Sequence, residues 1–302
     1  MADLNQARQF MAANARLLDR RRFESLAGAG DPEATLAVLG GYRNDDGGFG
    51  WALHPDLRSA TSQPVAALHV FEILEEVAAE SSPIAASLCD WLDHASLADG
   101  GLPFALPFDD GAGSAPMWAA TDSSRSSLLI TCAVCAGAHR ITHRNPAIAV
   151  HRWLARATEY CLEKIAAMKR PAMAIELRFA LELLDALHDR EAGAADELQR
   201  VGSFLPASAA IPVQGGAEGE AMRPLDLSPV PGRPIRELIA DDVIAAALDD
   251  LEAEQDRAGG WDVDFTVYSP AARVEWRGEA TVRAIRVLRA NGRRAELGHP
   301  DA

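Results

Sequence analysis

Twin glycines recur along this chain, each pair set between two stretches with helical hydrophobic spacing. The loops read YRNDDGGFGWALHPD at 42–56, LADGGLPFALPFDD at 97–110 and DRAGGWDVDF at 256–265. A glycine pair after an acid demands a turn with positive φ or a close approach of two backbones. The GG pairs of the loops fall at 47/48, 100/101, 215/216 and 259/260. A period of roughly 45 to 57 residues holds two helices and their connections, and recurrence on that scale marks repeats that bury one another's apolar faces. Before the loops stand ATLAVLGGY, IAASLCDWLDHAS and DDVIAAALDDLEAEQ; after them stand SQPVAALHVFEILEEV, SSLLITCAVCAGAHRI and ATVRAIRVLRANG. A degenerate copy near residue 160 joins AIAVHRWLARATEYCLEKIAAM to AMAIELRFALELLDAL through KRP, without glycines.

The helices before the loops carry charged faces, whereas those after them are apolar on almost every side. That asymmetry predicts an outer and an inner layer, and a ring of such hairpins would close into a barrel with the loops on one rim. The expected class is an all-α fold, a single domain over 1–302. Residues 203–236, rich in Pro and Gly, do not fit the repeat and read as an irregular insertion or a flap over an opening.

Composition limits the functions open to such a fold. The 302 residues are 48% hydrophobic and only 6% aromatic, with little β-branched alternation, which favours helix. No apolar run reaches the roughly 18 to 20 residues of a membrane span, and the first residues lack a signal core, so a cytoplasmic location is expected. The formal charge of −15 disfavours nucleic acid and anionic membranes as partners. Local basic runs, RRR at 20–22 and RAIRVLRANGRR at 283–294, read as solvated helix faces. The four cysteines, Cys89, Cys132, Cys135 and Cys161, are too few and scattered for a disulfide framework. Cys132-x-x-Cys135 has metal-ligand spacing but lacks a second ligand pair in sequence, so buried, metal-free thiols are expected.

The repeat of a helix, then D-G-G followed by Phe, Trp or Leu, then an apolar helix, resembles the prenyltransferase and squalene-cyclase repeat of α/α toroids. Four segments, RNDDGGFGWALHPDLRSATSQPVAALHVFEIL, DGGLPFALP, RPLDLSPVPGRPIRELIADDVI and VEWRGEATVRAIRVLRANGR, resemble single-domain actinobacterial prenyltransferase-like proteins. The resemblance implies an α/α toroid with a central cavity for an isoprenoid chain. The chain departs from the pattern in its chemistry. It has no D-x-D-D acid motif; Asp262-Val263-Asp264-Phe265 is the nearest fragment. The inner-helix starts carry no Cys or His for a prenyltransferase zinc, and Asp241-Asp242 is better explained by the start of a helix than by a metal cluster.

Polar residues at the starts of inner helices would surround the mouth of a toroid: Asp56, Arg58, Ser62 and Gln63, then Asp122 and Arg125, Glu176, and finally Glu275 and Arg277. Carboxylates and guanidiniums there suit a polar head group, and Trp118 and Trp276 suit an apolar body. The same residues also suit helix capping and cross-links between repeats. Asp45, Asp46 and Asp99 read as turn residues. Asp264 and Glu275 are the candidate acids for a proton-initiated cyclisation. The expected function is binding or cyclising an isoprenoid-like ligand, with no metal in the site unless magnesium accompanies a diphosphate. A non-catalytic scaffold is the alternative, and a carbohydrate-active α/α barrel a more distant one.

Overall fold

The computed structural model describes residues 2–293, and these are mostly helical. The first helices in chain order are α1 (Leu4–Asn14), α2 (Leu17–Leu26), α3 (Pro32–Gly40), α4 (Pro64–Glu76) and α5 (Pro83–Ala95). Next come α6 (Pro116–Ala119), α7 (Leu128–Ile141), α8 (Pro146–Ala149), α9 (Arg152–Ala166), α10 (Ala174–Leu187) and α11 (Ala194–Gly202). The last are α12 (Pro224–Leu227), α13 (Asp241–Ala253) and α14 (Pro270–Ala290). Proline opens many of them, because its fixed φ suits the first turn and its missing N–H loses no bond there. The chain groups into two compact units. One holds the residues up to Thr35 with those from Leu205 onward, and the other is Leu36–Phe204.

The continuous unit has two layers. Helices α7 and α10 each bury eleven of their fourteen residues, and α7 packs between α4 and α10 as the middle of an inner row. Outside it α5 packs on α4, α9 on α7 and α11 on α10, while α9 also touches α5 and α11. The alternation expected from the charged faces is therefore present within this unit. The long helix expected from AIAVHRW onward is broken: α8 ends at Ala149, and His151 caps α9 by accepting the Trp153 N–H at 3.2 Å.

In the other unit, α14 packs on α1, α2 and α13, and the α1–α2 hairpin is a helical pair that the glycine loops did not announce. The stretch Glu275–Gly278, expected just ahead of the last inner helix, lies inside α14. The helix starts earlier because Ser269 caps it, its hydroxyl accepting the Ala272 N–H at 3.1 Å, and Pro270 opens it. Gly278 serves close approach, since a Cβ there would stand 3.1 Å from Ala15 Cβ and Asp19 Oδ2. The irregular stretch 203–236 contains a minimal antiparallel pair, β1 (Ile211–Pro212) with β2 (Ala221–Met222), followed by α12 and a 3-10 turn at Pro234–Leu238.

Three glycine loops share one geometry. In the first, the Asn44 N–H donates to Gly48 O at 2.9 Å and the Gly47 N–H to Asn44 O at 3.1 Å. Leu97, Gly100 and Gly101 repeat this pair of bonds, and so do Asp256, Gly259 and Gly260. The leading glycine sits at φ 90°, 90° and 93° in turn, a conformation a side chain would strain. Each of these glycine pairs lies against two residues four apart on one helix: Ser87 and Trp91, Arg156 and Tyr160, Gln6 and Phe10. An acid completes the joint. Asp46 accepts the Ser62 hydroxyl at 2.7 Å and Trp91 Nε1 at 3.1 Å, and Asp99 accepts the Ser126 hydroxyl at 2.6 Å. In the last loop Ala258 stands where those acids stood, and Asp256 takes over, pairing with Arg277.

Candidate functional site

The segment leading into α4 is bent by two consecutive non-glycine residues at positive φ, Trp51 at 54° and Ala52 at 58°. Such strain persists only where the surroundings hold it. Here the Trp51 indole donates to Asn44 Oδ1 at 2.8 Å, while the ring itself is 56% exposed. The bend delivers His54, which accepts the Asp56 N–H on Nδ1 at 3.3 Å. Residues 56–58 are then clamped by a second loop: the Ala115 N–H donates to Asp56 O at 2.8 Å, and the Arg58 N–H to Ser114 Oγ at 2.7 Å. Asp110 holds the next turn, accepting Ala60 N–H at 2.9 Å and the Ser59 hydroxyl at 2.7 Å. Those two bonds, the backbone one first, hold its carboxyl below the usual carboxylate range.

Closing these two loops assembles an aromatic and imidazole cluster. Trp118 stacks on Phe104 at 4.6 Å between centroids and meets the edge of His54 at 5.1 Å. His54 in turn lies 5.3 Å from His69 of α4, whose Nδ1 is 3.1 Å from Glu72 Oε2. Trp118 is 5% exposed, and its Nε1 is buried with no hydrogen-bond acceptor. The cluster thus combines apolar ring faces with an indole N–H that has no acceptor, in the same pair of loops as the buried Asp56 and the half-buried Arg58.

Other residues expected at a mouth are engaged elsewhere. Gln63 is fixed by Leu106, donating to its O at 3.2 Å and accepting its N–H at 2.9 Å. Asp122 is exposed and caps its own turn, accepting the Ser124 N–H at 3.0 Å and hydroxyl at 2.6 Å; these bonds, the hydroxyl one first, lower its carboxyl. Arg125 is exposed in the same turn. Glu176 accepts the Ala172 N–H at 3.1 Å at the start of α10.

Asp264, Glu275, Trp276 and Arg277 belong to the other unit. Asp264 pairs with Arg223 at 3.0 Å and keeps 39% of its side chain exposed. Trp276 meets Phe265 edge-on at 5.1 Å, and Arg277 pairs with Asp256 while lying 4.7 Å over the Phe10 ring. Glu275 is half-buried on α14.

All four cysteines are buried and free. Cys161 of α9 neighbours both Cys132 and Cys135 of α7, and Cys135 Sγ and His139 Nε2 meet the Thr158 hydroxyl at 3.4 Å and 2.8 Å. Burial pushes Cys89 up to about 12 and Cys161 well up, which leaves them inert as nucleophiles. Burial also opposes ionisation of Cys135, but hydrogen bonds from Cys161 and His139 make it the lower of that pair. No group of three or more His, Cys, Asp or Glu among the described residues is arranged to hold a metal.

Sequence reasoning missed His54, His69 and Phe104, although His54 lies inside the first glycine loop. Its signal was weak, because the partners come from positions far along the chain and meet only when both loops close. No helix among the described residues is long and apolar enough to cross a membrane. The described residues define a mostly helical protein whose glycine loops join pairs of helices. No protein-family model matches the chain, and no curated protein matches it.

Proposed function

We propose that this chain is a ligand-binding protein of the α/α-toroid type that terpene cyclases use. Its ligand has an isoprenoid-like apolar body and a polar head. The observation that carries this reading is the cluster of Trp118, Phe104, His54 and His69, with a buried indole N–H lacking an acceptor. A buried donor without a partner costs free energy that a ligand acceptor would relieve. Binding is favoured over proton-initiated cyclisation because Asp264, one candidate acid, is partly exposed and ion-paired, whereas a proton donor to an alkene needs a dry, buried carboxyl. Magnesium enters this reading only as the counter-ion of a diphosphate head. A scaffold without a ligand is the competing reading, supported by the structural use of Gln63, Asp122 and Arg277.

The test incubates the purified protein with prenyl diphosphates and linear polyprenes, with and without magnesium, following thermal stabilisation and cyclic products together. Stabilisation without products, lost in Trp118→Phe and His54→Ala, is expected. Cyclic products that vanish in Glu275→Gln or Asp264→Asn would restore the enzyme reading. No stabilisation by any of these compounds leaves the scaffold.

A further inference from the structure

The three arginines of the basic run at 20–22 have three different fates. Arg22 is 4% exposed and buried in ion pairs with Asp19 and Glu279. Arg21 reaches Glu24 Oε2 at 2.8 Å. Arg20 has neither partner, and its Nε is buried with no hydrogen bond. The expectation of a solvated face therefore fails for Arg22, which is an internal cation. The last arginine of the C-terminal run, Arg294, lies outside the described residues.

Arg20 and Arg21 line a cavity of about 530 Å³ between α1 and α2, with Arg8 contributed by α1. Met11 and Phe23, at 1% and 2% exposure, give it an apolar lining. Glu24 is the acid at this cavity, and it is already committed to Arg21. The volume lies in the range of small-molecule sites, roughly 300–1,000 Å³. Guanidiniums that share a cavity and keep N–H groups without acceptors are a standing electrostatic deficit, which a carboxylate or phosphate oxygen removes through charge-assisted bonds. The formal charge of −15 repels polyanions at long range, so a nucleic acid or an anionic membrane does not fit.

We infer that this cavity binds a small organic anion, a single carboxylate or phosphate ester on an apolar body, with Arg20 and Arg8 taking the head and Met11 and Phe23 the body. The site lies wholly within the unit that contains α1 and α2, whereas the aromatic cluster belongs to Leu36–Phe204, so the inference does not depend on the proposed function.

Calorimetric titration of the full chain with phenyl phosphate, benzoate, inorganic phosphate and neutral benzyl alcohol tests it. Saturable binding of phenyl phosphate or benzoate is expected, and which of the two binds more tightly assigns the head group. Inorganic phosphate should bind about tenfold more weakly and benzyl alcohol not at all. Arg20→Ala and Arg8→Ala should each weaken binding about tenfold, while Arg152→Ala, exposed in the other unit, changes nothing. Because an arginine variant can lose structure, Glu24→Gln supplies the opposite sign: it releases Arg21 and should tighten binding. The inference is overturned if no probe saturates at millimolar concentration, if benzyl alcohol binds as well as phenyl phosphate, or if Glu24→Gln and both arginine variants bind as the parent does.

Discussion

A methyl group added at Gly101 would stand 2.5 Å from Ser126 Cβ and 2.8 Å from the Tyr160 ring, and neither can retreat, because both belong to the joint. Gly101→Ala should therefore cost about 1–3 kcal/mol in urea unfolding, the usual cost of overfilling a packed site. Gly40, in α3, meets nothing within 4 Å, so Gly40→Ala should instead gain up to about 1 kcal/mol from helix propensity. A result in which both substitutions behave alike would show that the glycine pair is a turn preference and not a docking surface. The glycines were legible in sequence as turns. Their second purpose was not, because Tyr160 lies 59 positions beyond Gly101 and nothing local connects them.

At the scale of elements, α7 and α10 are held by more than apolar contact. Glu182 sits between Arg140 at 3.1 Å and Arg178 at 2.8 Å, and is itself only 7% exposed. Burial works against its charge, but the two guanidiniums outweigh that and lower its pKa. Removing the carboxylate takes the ion-pair partner from Arg178 and from Arg140, which keeps only the charges of Glu75 and Asp185 nearby, so Glu182→Gln should lose about 3 kcal/mol at neutral pH, read from denaturant midpoints. A depressed folded pKa gives stability that is present above the unfolded value and lost as pH falls through the folded one. The gap between parent and variant should thus close as pH drops below about 4. Helix existence and the inner and outer layers of the continuous unit were readable from hydrophobic period and charged faces. Helix limits were not: Ser269-Pro270 is a start signal that was passed over, and the apolar run through Val150 hid the break before α9. The cluster at Trp118 was half legible, since aromatics and acids near a loop are visible but their meeting depends on loop closure.

Over the whole molecule the two units differ in how sequence builds them. Leu36–Phe204 is one continuous stretch with its own layers, whereas the other unit joins α1 and α2 to α13 and α14 across the intervening chain. The isolated segment 36–204 should therefore fold alone, with helical circular dichroism and a cooperative urea transition; a molten, non-cooperative fragment would refute this. Deleting residues 1–29 should strip α14 of the surface that carries Arg22, removing the Arg22–Glu279 ion pair, and should loosen that unit selectively in hydrogen exchange. The discontinuity also has a temporal side. On a ribosome adding 5–20 residues per second, roughly 10–50 s separate the emergence of α2 from that of α14. Throughout that interval the Phe10 ring lacks Gly260 and Arg277, which cover it in the finished fold, so the α1–α2 hairpin is the part of the nascent chain on which a chaperone would act.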